Sequence, residues 1–362
     1  MIVTCGGTGG HITPALAIAD TVKMNDPRAE LLFVGSERGM ENTLVRGAGY
    51  DMRALRVKGI ARSLSPENLR ALYFAVKAVG EAKQLIHSFA PDIVIGTGGY
   101  ACYPTLRAAA MLGVPCAVHE SNAVPGLAVR RLADKVDRVW LNFDAAKDRL
   151  SKRASTLTVG NPLPVGCKQG GGALRLPTGC RRMVLSFGGS LGARELNRAV
   201  LDLMERERDL TDVYHCHATG KREYDRFIAE FSARGLAKCR NFEILPFIND
   251  MPRRMAAADV VICRAGAMSI SEIAAAACAA VLIPSPNVTG DHQYKNAKVL
   301  ADAGAACLVT EDHLASGALC EAVLSLLCSD EKRRSLSNAV GAFARPDANR
   351  LIFEDIKKLI KQ

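Results

Sequence analysis

Short apolar runs alternate with longer segments of helical periodicity along most of the chain. The runs are rich in β-branched residues, which favour buried strands, whereas the intervening segments repeat apolar positions every three or four residues. We expect strands over residues 2–5, 31–34, 92–96, 114–118, 156–159, 182–187, 213–216, 242–245, 259–263 and 280–283. This alternation predicts right-handed βαβ units and therefore α/β domains with open parallel sheets.

Helical periodicity predicts helices over residues 13–23, 66–89, 106–112, 267–277, 314–327 and 331–360. Pro14 should lie in the first turn of the first helix, where a proline costs no hydrogen bond. In the second helix, apolar residues at helical spacing form one stripe that is expected to face the core. This stripe consists of Leu69, Leu72, Val76, Val79, Ile86 and Phe89.

The length of the chain indicates two domains, because 362 residues exceed what one hydrophobic core usually organises. The first domain is expected over residues 1–162. Residues 163–181 contain the glycine run 170–172 and two prolines, which is typical of a linker. A second domain should cover residues 182–340, and the last segment, 341–362, is expected to pack back on the first domain.

The segment 259–272, DVVICRAGAMSISE, joins a predicted strand to a predicted helix through a short turn. Gly266 can adopt backbone angles that other residues avoid, so the turn can aim the free N–H groups of the helix start at one point, which attracts an anion. Glu272, one turn further on, is placed to accept hydrogen bonds from the two hydroxyls of a ribose. The segment therefore indicates a nucleotide site. The alternative is a structural turn in which Glu272 complements the helix dipole.

Three glycine-rich turns connect predicted strands to helices, at residues 6–11, 96–100 and 188–194. The spacing of the first turn does not match the dinucleotide fingerprint G-x-G-x-x-G, which disfavours a nicotinamide enzyme even though Glu37 follows the second strand. His11 ends the first turn and is a candidate general base, because a neutral imidazole can accept a hydroxyl proton. The alternative is a histidine that only caps the helix or supports the turn.

Polar residues also follow other predicted strands, at the end where parallel sheets usually bind ligands. Glu120 and Asn122 are two residues apart, so an extended backbone would aim both side chains in one direction. Gln293 offers one donor and one acceptor group to sugar hydroxyls, and Ser190 offers a hydroxyl to a phosphate. The alternatives are that Asn122 caps the next helix, that Glu120 pairs with a cation, and that His292 and Gln293 cap their own helix.

Composition narrows the classes of ligand. The chain has 12 cysteines but no C-x-x-C pair, so they are expected to pack as small hydrophobic side chains. His215 and His217 would share one face of a strand without further ligands nearby, which disfavours a metal site. The net charge of +10, without a nucleic-acid motif, favours acidic substrates or an anionic membrane surface over nucleic acid.

The basic segment 53–83 carries a candidate membrane contact. Phe74 lies off the apolar stripe with Arg70 and Lys77 beside it and Leu64 just ahead of the helix, and an aromatic ring among cations suits an anionic lipid surface. A solvated face with one exposed aromatic ring is the alternative. We find no apolar run long enough to span a bilayer and no signal peptide, which predicts a cytoplasmic protein. The abrupt start before the first glycine turn suggests that a few residues of the first strand are missing.

Eight motifs in one order resemble the MurG-type transferases of peptidoglycan synthesis, over nearly the whole chain. They are GGTGGH (6–11), GTGGY (96–100), HESNAVPG (119–126), GNP (160–162), GGSLGAR (188–194), PFINDM (246–251), CRAGAMSISE (263–272) and DHQYKNA (291–297). This resemblance implies the GT-B architecture, with two Rossmann-like open parallel-sheet domains facing across a cleft. It also implies transfer of N-acetylglucosamine from UDP-N-acetylglucosamine to lipid I, an undecaprenyl-diphosphate-linked muramyl pentapeptide. The product would be lipid II, formed with inversion at the cytoplasmic face of the plasma membrane.

The resemblance implies site residues in both domains. In the second domain the donor would be held by Ser190, Ile248, Ala267, Met268, Ser269, Ile270, Ser271, Glu272, His292 and Gln293, with Glu272 on the ribose. In the first domain Thr8, Gly9, Gly10 and Tyr100 would line the acceptor side and Asn122 would meet N-acetylglucosamine, with His11 as the first candidate base and Glu120 as the second. The chain departs from the family pattern at three places. Pro164 replaces an arginine, Ser121 replaces a glutamine, and residues 101–103 replace the usual small residues after G-G-Y. We expect these changes to alter substrate affinity rather than to abolish activity.

The sequence requires no metal or other cofactor, because amides and a helix dipole can stabilise the UDP leaving group and no D-x-D motif lies among these segments. Two rival functions fit the same architecture. One is a sugar-nucleotide epimerase, which would need no lipid acceptor, and the other is a non-catalytic subunit that binds a UDP-sugar.

Overall fold

The computed structural model describes residues 1–57, 66–164, 174–189 and 192–361, with all side chains in these ranges except those of residues 66–75 and 289. The chain divides into two compact units. Unit 1 comprises Met1–Val165 and Arg345–Gln362, and unit 2 comprises Gly166–Ala344.

Unit 1 contains a seven-stranded parallel sheet. Its elements are β1 (Ile2–Thr4), α1 (Gly9–Asn25), β2 (Leu32–Ser36), α2 (Glu41–Gly47), β3 (Asp51–Leu55), α3 (Pro66–Phe89), β4 (Val94–Gly96), α4 (Cys102–Leu112), β5 (Cys116–Glu120), α5 (Leu127–Leu132), β6 (Arg138–Leu141), a 3-10 helix (Asp144–Arg149) and β7 (Thr156–Thr158). The strand order is β3-β2-β1-β4-β5-β6-β7, so the chain reverses its direction of travel between β1 and β4. In open α/β sheets, ligands bind beside such a reversal.

Unit 2 contains a six-stranded parallel sheet with the order β10-β9-β8-β11-β12-β13. Its strands and helices are β8 (Arg182–Phe187), α6 (Arg194–Glu207), β9 (Val213–Ala218), α7 (Tyr224–Ala233), β10 (Phe242–Leu245), α8 (Met251–Ala257), β11 (Val260–Cys263), α9 (Ala267–Ala276), β12 (Ala279–Leu282), α10 (His292–Asp302), β13 (Cys307–Leu308), α11 (Ala318–Leu327) and α12 (Asp330–Gly341). Short 3-10 helices cover Leu236–Lys238, Thr289–Asp291 and Glu311–Ser316. The two open parallel sheets confirm the predicted α/β fold class.

The last helix, α13 (Ala348–Ile360), lies in unit 1, where it packs against α1. Its apolar face joins the core cluster that contains Trp140. The buried carboxylate of Asp355 accepts hydrogen bonds from Trp140 Nε1 at 2.8 Å and from Arg138 Nε at 2.9 Å. The helix is therefore fixed to β6 by polar contacts as well as by apolar packing.

Four helix predictions are wrong in detail. Helix α4 begins at Cys102 rather than at residue 106, and α11 begins at Ala318 rather than at residue 314. Helix α1 begins at Gly9 rather than at residue 13, because the N–H groups of His11 and Ile12 already donate to Thr8 O at 3.0 and 3.2 Å. Pro14 consequently lies in the second turn and not in the first. The segment 331–360 forms two helices, since Pro346 cannot continue the helix that ends at Gly341.

The predicted apolar stripe of α3 is wrong at Val76, whose side chain is 68% exposed. Ala78, Ala82 and Ile86 are the fully buried residues along the part of this helix whose side chains are described. The side chains of Leu69, Leu72, Arg70 and Phe74 lie outside the described residues. No helix in the described part of the chain has the length and hydropathy that crossing a bilayer requires.

Replacing Asp355 with alanine should lower the free energy of unfolding of unit 1 by about 2–3 kcal/mol, because a buried indole N–H and a guanidinium lose their acceptor. Asp355→Asn is the matched control and should cost less, since its amide oxygen can still accept from Trp140. Urea unfolding can be followed by the fluorescence of Trp140, which is the single tryptophan of the chain. An unchanged urea midpoint for Asp355→Ala would contradict this assignment.

Candidate functional site

The first two glycine turns of unit 1 touch each other. Gly6 follows β1 and Gly99 follows β4, and these two strands are neighbours in the sheet. Gly99 has φ +95°, and a Cβ atom at this position would lie 2.3 Å from the carbonyl oxygen of Gly6. Only glycine fits such an approach. The turns that the sequence singled out separately therefore form one backbone platform.

His11 lies on this platform at the start of α1. Its Nδ1 is 3.0 Å from Gly6 O, and its own carbonyl accepts a hydrogen bond from Thr97 Oγ1 at 2.7 Å. A carbonyl can only accept, so Nδ1 carries the proton in the neutral ring and Nε2 carries the lone pair. A Cβ on Gly98, where φ is +110°, would lie 2.8 Å from Nε2. The proton-accepting nitrogen, Nε2, therefore lies beside Gly98, at a position that a side chain at residue 98 would block.

The other predicted residues of this turn lie beside His11. Thr8 is exposed and precedes α1 without capping it through its side chain. Gly9 and Gly10 form the first turn of the helix, whose N–H groups have no acceptor within the helix. Tyr100 is 60% exposed between β4 and α4. These residues present backbone donors and a phenol at one end of the sheet.

Glu41, which the sequence analysis missed, supports the same platform from the buried side. Its Oε2 accepts from Gly7 N at 3.0 Å, and its Oε1 accepts from Ser36 N at 2.9 Å and Ser36 Oγ at 2.5 Å. Burial alone would raise the pKa of Glu41, but the hydrogen bonds from Ser36 and Gly7 together lower it. No local spacing distinguishes this residue from Glu37, which instead forms an exposed ion pair with Arg56.

Glu120 and Asn122 lie together, as their spacing predicted. Glu120 Oε1 accepts from Asn122 N at 2.9 Å and Asn122 Nδ2 at 3.0 Å, and its Oε2 accepts from Gly126 N at 2.8 Å. Asn122 does not cap α5 through its side chain, and Glu120 has no ion-pair partner among the described residues. Because three N–H donors occupy the buried carboxylate, Glu120 shapes the loop and is a weaker candidate base than His11.

In unit 2, the predicted strand, turn and helix around Gly266 are present, but the explanation for the glycine is wrong. Gly266 has φ −66° and ψ 139°, an extended conformation that any residue adopts. The nearest atom to a Cβ added there would be Ser269 Oγ, 3.9 Å away. The first-turn residues Ala267, Met268 and Ser269 carry the N–H groups that lack acceptors within the helix. Among the described residues, no atom therefore crowds the position of Gly266 at the start of α9.

Arg264 braces the turn that leads to α9. It forms an ion pair with Glu311 and donates hydrogen bonds from Nη1 to Ile283 O and Pro284 O, both at 3.3 Å. The guanidinium therefore contacts a carboxylate and two backbone carbonyl groups that follow β12. Its contacts hold the start of α9 in place.

Glu272 lies in the second turn of α9, after Ile270 and Ser271. It is half-buried, and within the described ranges no hydrogen bond or ion pair satisfies its carboxylate. Burial raises its pKa to about 7. The helix-dipole alternative is disfavoured, because that effect falls off within the first turn. A half-buried carboxylate without a protein partner is suited to accept from a ligand.

The remaining predicted donor residues lie in the same unit. Gln293 Oε1 accepts from Ser285 N at 2.8 Å, which fixes the side chain and leaves its amide donor free of this contact. His292 is the first residue of α10, after Asp291 in a left-handed conformation with φ +54°. Ile248 is buried. Ser190 lies outside the described residues.

His215 and His217 lie in the core of unit 2. Ser186 Oγ is 2.7 Å from a ring nitrogen of each, and His215 Nδ1 is 2.5 Å from Glu207 Oε2. The order serine, histidine, glutamate resembles the relay of a hydrolase, but all four side chains are completely buried, so substrate cannot reach them. Burial lowers the pKa of His217 to about 3. Among the described residues no group of three or more His, Cys, Asp and Glu side chains could hold a metal ion.

Both units match known protein families. Residues 1–141 match the glycosyltransferase family 28 N-terminal domain, and residues 183–352 match the glycosyltransferase family 28 C-terminal domain.

Two curated relatives carry the name UDP-N-acetylglucosamine--N-acetylmuramyl-(pentapeptide) pyrophosphoryl-undecaprenol N-acetylglucosamine transferase. The protein from Acetivibrio thermocellus is 37% identical over 366 residues, which cover 100% of this chain and 98% of the relative. The protein from Moorella thermoacetica is 38% identical over 367 residues, which cover 100% of this chain and 99% of the relative.

Solved structures agree with the fold. The crystal structure of MurG from Acinetobacter baumannii has a TM-score of 0.79 and 26% identity, with 99% of each chain covered. A UDP-GlcNAc 2-epimerase from Neisseria meningitidis bound to UDP-GlcNAc has a TM-score of 0.68 and 12% identity, with 99% of each chain covered. At that identity the likeness concerns the fold alone.

Proposed function

The chain belongs to the MurG family within glycosyltransferase family 28, and from this membership we infer that it transfers N-acetylglucosamine from UDP-N-acetylglucosamine to the muramyl sugar of lipid I, giving lipid II. It is a UDP-N-acetylglucosamine-dependent glycosyltransferase of peptidoglycan synthesis. The structural observation that carries this assignment is Glu272, a half-buried carboxylate in the second turn of α9 that has no hydrogen-bond or ion-pair partner among the described residues. We further propose that the reaction serves cell-wall growth, cell shape and cell division.

We propose that unit 2 holds the donor. The first-turn N–H groups of α9 bind the diphosphate, because the helix itself does not use them and they lie at the positive end of its dipole. Glu272 accepts from both ribose hydroxyls, and Ile248 meets the uracil through its backbone. His292 and the amide donor of Gln293 bind the N-acetylglucosamine. Ile270 and Ser271 complete the helix segment that carries these contacts.

The proposed reaction is a single displacement with inversion. The hydroxyl oxygen of the acceptor attacks the anomeric carbon, His11 Nε2 takes its proton, and the bond to the UDP oxygen breaks. The negative charge that develops on UDP is stabilised by the amides of α9. Thr8, Gly9, Gly10 and Tyr100 line the acceptor side. No step in this scheme needs a metal or another cofactor.

The affinity for UDP-N-acetylglucosamine should depend on the charge of Glu272. The ionised carboxylate accepts the two hydroxyls, and its pKa of about 7 means that the free protein must lose a proton to bind at lower pH. From pH 8 to pH 6 the dissociation constant should therefore rise about tenfold by proton linkage. Calorimetric titration with UDP-N-acetylglucosamine measures this, since its diphosphate does not titrate in that range.

Glu272→Gln should bind the donor about 10- to 100-fold more weakly at pH 8. In this variant the dissociation constant should no longer rise from pH 8 to pH 6, because the titrating carboxylate is absent. Glu321→Gln is the matched control, because Glu321 is exposed on α11 in the same unit. Equal loss of donor and acceptor affinity in Glu272→Gln would overturn the assignment of Glu272 to the ribose.

Transfer can be tested in one incubation with labelled UDP-N-acetylglucosamine and a lipid I analogue. Label in the lipid product supports the transferase, an epimerised UDP-sugar indicates the epimerase, and donor binding without either reaction indicates a binding subunit.

His11→Ala should lower kcat by about 10²- to 10⁴-fold and leave donor binding within about twofold. His87→Ala, at an exposed position of α3, is the control and should retain activity. Full turnover by His11→Ala would exclude His11 as the base.

We also propose that unit 1 binds an anionic membrane surface at the cytoplasmic face of the plasma membrane, as a peripheral protein. Val76 and Lys77 are exposed neighbours on α3, and Arg53 and Arg56 are exposed at β3 and just after it. An apolar side chain beside cations supports this proposal, because the chain can enter the interface while the charges meet lipid headgroups. The remaining candidates, Phe74, Arg70 and Leu64, lie outside the described residues and side chains.

The double variant Val76→Asp with Lys77→Glu should reduce cosedimentation with vesicles that contain anionic lipid by about 10-fold or more, since each cation near such a surface contributes about 1 kcal/mol. Lys152→Glu changes an exposed charge elsewhere in unit 1 and should have a smaller effect. Equal binding of the wild-type protein to neutral and anionic vesicles would contradict the proposal.

A further inference from the structure

One peptide group of the first glycine turn lies between a carboxylate and the candidate base. The carbonyl of Gly6 and the N–H of Gly7 belong to the same planar peptide. The carbonyl oxygen is 3.0 Å from His11 Nδ1, and the N–H donates to Glu41 Oε2 at 3.0 Å. Glu41 and His11 are therefore connected through a single peptide, although they do not contact each other.

We propose that Glu41 is a positioning residue for His11, whose ring it orients through the Gly6–Gly7 peptide. This inference rests on the proposed function, in which His11 is the base. Glu41 is completely buried and touches no substrate in that scheme, so its effect is transmitted by the peptide. Hydrogen bonds in a chain polarise one another, and a carboxylate on the N–H makes the carbonyl oxygen a stronger acceptor.

The stronger acceptor acts on His11 in two ways. It keeps the ring proton on Nδ1, so that the lone pair remains on Nε2. When Nε2 takes the proton of the acceptor hydroxyl, the Nδ1–H bond to Gly6 O stabilises the positive ring. Glu41 stays ionised throughout, and no proton crosses the peptide. A carboxylate that orients a catalytic histidine by direct contact has the same two effects.

The surrounding glycines leave room for this carboxylate. A Cβ on Gly6 would lie 2.6 Å from Glu41 Oε1, one on Gly35 would lie 2.6 Å from Glu41 Cγ, and one on Gly39 would lie 2.0 Å from Glu41 Oε2. Three backbone positions therefore lack side chains where the Glu41 side chain lies. A purely structural role, in which Glu41 only fixes the loop at Ser36, is the alternative that the experiment must separate.

Glu41→Gln in the full chain separates these roles. A glutamine has one oxygen, so it cannot satisfy both Ser36 on one side and Gly7 N–H on the other. We expect kcat for transfer to fall about 10- to 100-fold, as when a group that orients a functional histidine is lost. The KM for UDP-N-acetylglucosamine should stay within about twofold, because the donor residues of α9 are unchanged. Glu37→Gln removes an exposed carboxylate four residues earlier and should leave kcat unchanged.

Nitrogen-15 NMR of labelled histidine gives a readout that loop support alone would not move. The wild-type His11 ring should be protonated at Nδ1, and Glu41→Gln should shift it toward the Nε2-protonated form. A wild-type ring protonated at Nε2 would overturn the proposal without any variant, and so would an unchanged tautomer in a folded Glu41→Gln protein.

Two further variants complete the test. Ser36→Ala removes one donor to Oε1 but keeps the Gly7 contact, so a loss of kcat equal to that of Glu41→Gln would identify loop support and overturn the proposal. Glu41→Asp, which withdraws the carboxylate by one methylene, should give an intermediate tautomer shift if Glu41→Gln does not fold. If the wild-type protein shows no transfer at all, the proposed function fails, whereas the tautomer measurement still decides whether Glu41 controls His11.

Discussion

The contact between Gly99 and Gly6 determines the geometry of the proposed acceptor side in unit 1. It brings together two turns that are far apart in sequence but follow neighbouring strands. With no Cβ at Gly99, the two backbones approach closely enough to fix the Gly6–Gly7 peptide. That peptide then serves His11 on one side and Glu41 on the other. A side chain at Gly99 would therefore displace several groups at once.

Three glutamates illustrate how environment determines the role of a carboxylate. Glu41 is fully buried, yet its hydrogen bonds lower its pKa, so it supplies a fixed charge. Glu120 is buried with three N–H donors and shapes a loop. Glu272 is only half-buried but has no partner among the described residues, and its pKa rises to about 7. Glu272 can therefore lose its proton near neutral pH and accept hydrogen bonds from ligand hydroxyls.

The sequence predicted the fold class and most strands because buried parallel strands are continuous apolar runs. It missed three strands. Only Met52 and Leu55 of the edge strand β3 are buried, the two residues of β13 are too few to form a pattern, and the four-residue strand β6 begins with the charged Arg138. His11 was found through its position in a glycine turn. Glu41 was not, because its role depends on hydrogen bonds to Gly7 and Ser36 that no spacing reveals. The prediction of unusual backbone angles at Gly266 was wrong because a glycine also occurs where neither its angles nor its immediate neighbours require one.

Unit 1 is built from both ends of the chain, and this has a consequence for its synthesis on the ribosome. Trp140 bonds to Asp355, which is 215 residues later in the sequence. All of unit 2 is translated between these two residues. The indole N–H of a nascent unit 1 therefore remains without its native acceptor until unit 2 has been translated, and α13 can pack against the sheet only after that point.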